Sequence, residues 1–233
     1  MAKKVITLEQ KKVDIDLWII AIVTFVIFGV YVCFEDQLMR LVKDNSISVL
    51  LRLFIIGALQ FGIAGLGITI VCIVRKENLT TFGIRRHNSI LAIGLSILCF
   101  LPYFLLLLFT GQLRQYAPLS IMITDDILTS GLWVKFLGIV VIAIIWGFFE
   151  GFNYVVIYDK INQRYPSKSK WIDKGALACA LICVLFHPFN TSIIGLLEIA
   201  SIIILIYGML LVRKHTNNAW GCIFIFLFLW NAF

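Results

Sequence analysis

The stretch IIWGFFEGFNYVVIYDKIN, residues 144–162, sets one carboxylate, Glu150, inside an otherwise apolar run. The next charges along the chain are Asp159 and Lys160, nine and ten residues further on. Extended back to Leu132, the run exceeds the ~20 residues that a helix needs to cross a bilayer's hydrocarbon. It does not alternate between apolar and polar, so it is not a barrel strand. The whole chain has the same character. Of its 233 residues 61% are hydrophobic and only 14% charged, with a mean hydropathy of +0.99. A soluble domain carries about 25% charged residues. The expected fold is therefore an all-α, polytopic transmembrane helical bundle forming one membrane domain over residues 1–233, with no room for a soluble domain of ordinary size.

Seven apolar segments can be delimited: Leu17–Phe34, Leu53–Val74, Ile90–Phe109, Leu132–Ile157, Ala176–Asn190, Ile193–Val212 and Trp220–Phe233. At ~20 residues per crossing this predicts about seven spans, within a range of six to eight. Residues 1–16 are polar and read as a cytosolic N-terminal segment, followed by a first span that is retained. The six cysteines all lie in apolar segments without a paired metal spacing, and read as small core hydrophobes.

The loop charges orient the bundle. With the N-terminus inside, the cytosolic regions hold fifteen Lys and Arg residues, grouped at 3–12, 75–86, 160–174 and 213–214. The opposite regions hold four, Arg40, Lys43, Arg52 and Arg114, with Lys135 just inside the fourth span. Such a bias predicts a cytoplasmic N-terminus. It also accounts for the formal net charge of +7 without a nucleic-acid partner. The expected partners are membrane lipids, in an integral protein of the cell membrane.

A rise of ~1.5 Å per residue then places polar side chains by depth. Glu150 falls ~15 Å from the cytosolic boundary, His187 ~20 Å and Asn231 ~16 Å, so three helices bring three polar residues to one layer. A charged carboxylate there costs at least ~2.5–3.5 kcal/mol, so Glu150 must face a cavity, a partner or water. Asn153, Tyr154 and Tyr158 continue a polar stripe on the same helix face. Gly147 and Gly151 form a small-xxx-small pair that lets a neighbouring helix approach. Glu198 is a fourth polar residue at mid-depth, placed either in the same cavity or against another helix. The structural alternative for Glu150 is a protonated carboxyl that makes an interhelical hydrogen bond.

At these residues the chain resembles the CPBP family of intramembrane proteases, which includes the CAAX-processing endopeptidases and bacteriocin-immunity relatives. That family carries a glutamate pair and an arginine on one helix, FxxxH on a later one and HxxxN/D on the last. Here EGFNY keeps the leading glutamate as Glu150, with Gly151 and Tyr154 standing for the second glutamate and the arginine. CVLFH keeps the histidine as His187 with Cys183 in place of the phenylalanine, and LFLWN keeps Asn231 with Leu227 in place of the histidine. The segment ENLTTFGIRRHN, residues 77–88, is similar to a linker common in the family. The resemblance extends over roughly residues 75–233, and residues 130–233 would form the CPBP-like core.

It implies an intramembrane endopeptidase acting on a membrane-embedded or lipidated peptide, with access from the cytosolic side. Glu150 would activate water, His187 and Asn231 would stabilise the oxyanion, and Asn153 and Tyr154 would support Glu150. Zinc is possible by the same resemblance, but one Glu and one His fall short of three protein ligands. The alternatives are an inactive relative acting as a membrane binding or immunity-type protein, and a small transporter using Glu150 and Glu198.

Overall fold

The computed structural model describes residues 6–167, 169, 172–186 and 191–233. Among them the regular structure is helical: α1 (Leu8–Cys33), α2 (Glu35–Lys43), α3 (Val49–Arg75), α4 (Ser89–Phe109), α5 (Thr124–Thr129), α6 (Leu132–Arg164), α7 (Lys174–Phe186), α8 (Ile193–Thr216) and α9 (Trp220–Phe228), with one 3-10 turn at Leu79–Phe82. Five of these, α1, α3, α4, α6 and α8, are long and apolar enough to span a membrane, and α7 is a shorter apolar helix.

Local chemistry sets several ends. Thr7 and Gln10 form a reciprocal capping box at the start of α1, so residues 8–16 of the polar N-terminal segment extend the first helix. Ser48 and Ser192 cap α3 and α8 through their hydroxyls. The segment 34–48, expected as a loop, contains α2, whose Glu35 and Asp36 open the first turn and whose Arg40 and Lys43 close the last. That order complements the helix dipole.

The bundle has one highly charged end. Asp16 on α1 bonds Lys160 on α6 (2.9 Å) and Arg75 on α3 (2.7 Å), and Lys160 also bonds Glu77 (2.8 Å). Arg164 pairs with Asp14, and Arg213 on α8 pairs with Asp159 (2.8 Å) while its Nε donates to the Phe82 carbonyl. The 77–88 linker is stitched to the loop after α8: Asn218 donates to the Arg85 and His87 carbonyls, and Ala219 N–H to that of Gly83. Gly83 is needed there, since its φ is +87° and a Cβ would lie 3.0 Å from Arg213. Four regions counted as basic in the sequence therefore share one end, although Lys3, Lys4, Lys168 and Lys170 lie outside the described residues. The segments 34–48 and 110–131 occupy the other end.

Asp173 ties α7 into this charged end. It accepts from Asn162 (2.7 Å), Lys214 (2.9 Å) and the Ala176 N–H (3.1 Å). Burial alone would raise its pKa, but these donors outweigh burial and hold it below the usual carboxylate value. A depressed folded pKa contributes stability that is full above the unfolded value of ~3.9 and disappears as pH falls through the folded value. Asp173→Asn is expected to flatten the acid limb of a Tm-against-pH curve in detergent and to lower Tm at neutral pH. An unchanged acid limb would show that Asp173 is not the group responsible.

The main core joins Phe152, Val155 and Val156 of α6 with Cys179 and Cys183 of α7, Leu205 and Met209 of α8, and Ile223 of α9. The expected glycine pair on α6 does face a neighbouring helix. A Cβ on Gly151 would lie 2.9 Å from the Ile223 Cα and 3.0 Å from the Cys222 carbonyl, and one on Gly147 would strike Leu227. Gly151→Ala must therefore displace the α9 backbone, at an expected cost of about 1–3 kcal/mol. Thermal unfolding of the purified variant checks this, and an unchanged Tm would refute it. Cys179, Cys183 and Cys222 are buried in the core and the half-buried Cys72 and Cys99 pack against it, so the core reading fails for the exposed Cys33.

Candidate functional site

Two helices depart from α geometry within a few residues of the layer that holds Glu150. In α3 the π-type segment Gly62–Leu66 comes just after Gln60, and in α6 the segment Ala143–Phe149 runs directly into Glu150. A π segment adds one residue to a turn and so rotates the remainder of the helix by roughly 100° relative to an unbroken one. Gln60 and Glu150, which flank these two segments, are in contact: Gln60 Nε2 donates to Glu150 Oε2 at 3.2 Å. No ion pair reaches Glu150 among the described residues.

Both residues line a cavity of about 450 Å³ between α1, α3, α6, α7 and the chain's C-terminal turn. Trp146, Glu150, Asn153, Tyr154 and Ile157 form its α6 wall, so Glu150, Asn153 and Tyr154 of the expected polar stripe face it, whereas Tyr158 is buried in the main core and does not. Asn231 also lines it. Thus Glu150, Asn153, Tyr154 and Asn231 come together as expected, and Gln60 joins them without having been singled out. Its signal was available, because Gln60 is the one strongly polar side chain in an apolar run from Leu53 to Val74.

Asn231 arrives by a different route than the depth argument assumed. The seventh apolar segment is helical only to Phe228, and Asn231 stands in a turn beyond it. The turn is tied down by tertiary contacts: Ala117 N–H donates to the Ala232 carbonyl at 2.8 Å, and the Phe233 ring packs against Phe104 and Tyr116. His187 lies outside the described residues, one position after Phe186, which lines the cavity. Glu198 is half-buried on α8 and is not among the residues lining the cavity.

Tyr154 is buried and stacks on Phe226 with ring centroids 5.4 Å apart, and the backbone carbonyl of Tyr154 accepts from the Cys179 thiol. It does not mark the arginine position. In the pattern EExxxR, which the resemblance rests on, the arginine stands five residues after the leading glutamate, and here that position is Val155, fully buried in the main core. The apparent match at Tyr154 was out of register by one residue, which on a helix moves a side chain to a different face.

Among the described residues lining the cavity, Glu150 is the one carboxylate, and the other polar side chains are the amides of Gln60, Asn153 and Asn231 and the hydroxyls of Thr24, Tyr31, Ser120 and Tyr154. The described residues contain no group of three candidate metal ligands. What the arrangement can do is hold a carboxylate in a fixed pose within an apolar chamber and surround it with neutral hydrogen-bonding groups. No family model, no curated protein and no solved structure matches the chain.

Proposed function

We propose that the chain is an intramembrane endopeptidase of the glutamate type, as its resemblance to the CPBP proteases implies. The observation that carries this reading is the placement of Glu150, held by Gln60, in one cavity with Asn153, Tyr154 and Asn231. Gln60 occupies Oε2 and leaves Oε1 to a water molecule. Glu150 takes a proton from that water as its oxygen attacks the scissile carbonyl carbon. The tetrahedral oxyanion accepts from the Asn231 amide, and by the resemblance from His187. Glu150 then returns the proton to the departing amine, which breaks the C–N bond. Neutral donors aimed at the oxyanion act strongly in a water-poor site.

In this proposal the N-terminus and the charged end lie in the cytosol, following the Lys and Arg bias. The five long helices, α7 and α9 then account for about seven membrane segments of a cell-membrane protein. The test uses purified protein in lipid nanodiscs with a panel of tagged membrane peptides, and reads fragments by mass spectrometry. Cleavage by the native chain supports the proposal, and a panel left intact while peptides still bind would overturn it.

That second outcome is what an inactive binding or immunity-type relative would give. One observation favours this alternative: the positions of the family's second glutamate and second histidine, Gly151 and Leu227, serve α6–α9 packing here. Transport through paired carboxylates has no such support, because Glu198 does not share the cavity with Glu150.

A further inference from the structure

The resemblance implies access from the cytosol, but the cavity runs the other way. Its deepest α6 residue toward the charged end is Ile157, and beyond it the described residues pack without an opening. Ile20, Ile68, Val71 and Tyr158 pack there with almost no exposure, backed by the buried Asp16–Lys160 pair. At the opposite end the cavity is lined by Leu38 and Met39 of α2 and by Ser120, Ile121 and Met122 before α5. Ser120 and Met122 are both exposed, the latter at 64%, and mark the mouth. Charged residues of α2, Glu35, Asp36, Arg40 and Lys43, are exposed around it, as suits a rim at the water boundary.

The rim is a built feature. Arg52, in the first turn of α3, is buried although it carries a charge. Its Nη1 donates to the Val42 carbonyl at the end of α2 (2.6 Å) and lies 2.9 Å from Asp126 of α5. One side chain thus fastens together the two short helices beside the mouth. Between mouth and floor the walls are apolar, with Phe28, Leu59, Ile63, Trp146, Ile182 and Phe186. Gln60, Asn153 and Asn231 add amide groups to that lining beside Glu150's carboxyl.

We infer that the cavity receives an extended, apolar polypeptide segment from the non-cytosolic side of the membrane, through the mouth at Ser120 and Met122. The inference rests on the proposed peptidase reading for the nature of the occupant and on the Lys and Arg bias for the side. Apolar side chains of the segment fit the walls, and its backbone amides fit the Gln60, Asn153 and Asn231 side chains. A segment reaching the membrane from the cytosol meets the packed layer at Ile20 and Ile157 instead.

The experiment separates the side of access from catalysis. In full-length protein carrying Cys33→Ser, which removes the exposed native thiol, single cysteines are placed by Ser120→Cys, Met122→Cys and, at the charged end, Lys76→Cys. A charged, membrane-impermeant maleimide is applied to intact cells and to inside-out vesicles, with the Cys33→Ser parent as background. Labelling at 120 and 122 is expected in intact cells and lost in sealed inside-out vesicles, with the reverse at 76. Labelling at 120 and 122 only in inside-out vesicles would overturn the inference, as would background-level labelling from both sides. In the same cells, cleavage confined to reporters whose apolar segment is open to the outside supports the inference, and cleavage confined to cytosolic segments overturns it. A mouth that labels from outside in a protein that cleaves no peptide removes the peptidase reading and the peptide occupant while leaving the side of access in place.

Discussion

Glu150→Gln is expected to lower peptide cleavage about 100- to 10,000-fold, the range in which a positioned general base contributes, while leaving the fold intact. The substitution is nearly isosteric. The amide oxygen can still accept from Gln60 Nε2, so the 3.2 Å link between α3 and α6 survives. What the amide cannot do is accept a proton from water. The comparison with Gln60→Ala makes the assignment sharper. That variant keeps the carboxylate but frees its orientation, so it should lose less activity than Glu150→Gln. Initial rates on one cleaved peptide, together with Tm for each variant, provide the check. A Glu150→Gln protein that cleaves at the native rate removes Glu150 as the base. A Glu150→Gln protein that unfolds assigns the residue to helix packing instead.

The features legible in the sequence were those carried by spacing along one helix. Glu150, Asn153 and Tyr154 share a face because residues three and four apart do so in any α-helix, and they line the cavity together. The clustering of basic segments at one end is equally direct, because consecutive membrane-length helices bring alternate loops together. Features that depend on breaks in regularity were not legible. The π segments at Gly62–Leu66 and Ala143–Phe149 leave apolar composition unchanged, so nothing in the hydropathy announces the extra residue in the turn. α2 is too short and too charged to register as an apolar segment, although Leu38 and Met39 supply part of the cavity rim. Asn231 lines the cavity with Glu150, but not by the helix that the depth argument assumed. A helix carried on to Phe233 would have set its depth, but α9 stops at Phe228 and contacts with residues 100–117 hold the turn. Such long-range contacts have no local signature.

The largest stability effect is expected at the charged end. Asp16, Glu77, Arg75 and Lys160 form a cluster of two acids and two bases, in which Asp16 and Lys160 each retain 3% side-chain exposure. Replacing both members of a buried pair by apolar groups is often neutral, but removing one strands the other. Lys160→Met leaves Asp16 with Arg75 and deprives Glu77 Oε1 of the Lys160 ammonium, while Glu77 Oε2 is already buried without a hydrogen-bond partner. The expected loss is about 3–5 kcal/mol, read as a fall in Tm or in the yield of monodisperse protein. Charge balance then predicts a rescue. Adding Glu77→Gln to Lys160→Met removes the stranded charge and leaves the Asp16–Arg75 pair neutral overall, so the double variant should regain most of the loss. Glu77→Gln alone leaves an excess positive charge but keeps Lys160 on Asp16, so its effect should be the smaller of the two single changes. If the double variant is as unstable as Lys160→Met, then Lys160 acts through the packing of its stem against α1 and α3, and the neutrality of the cluster is not what holds α1, α3 and α6 together at this end.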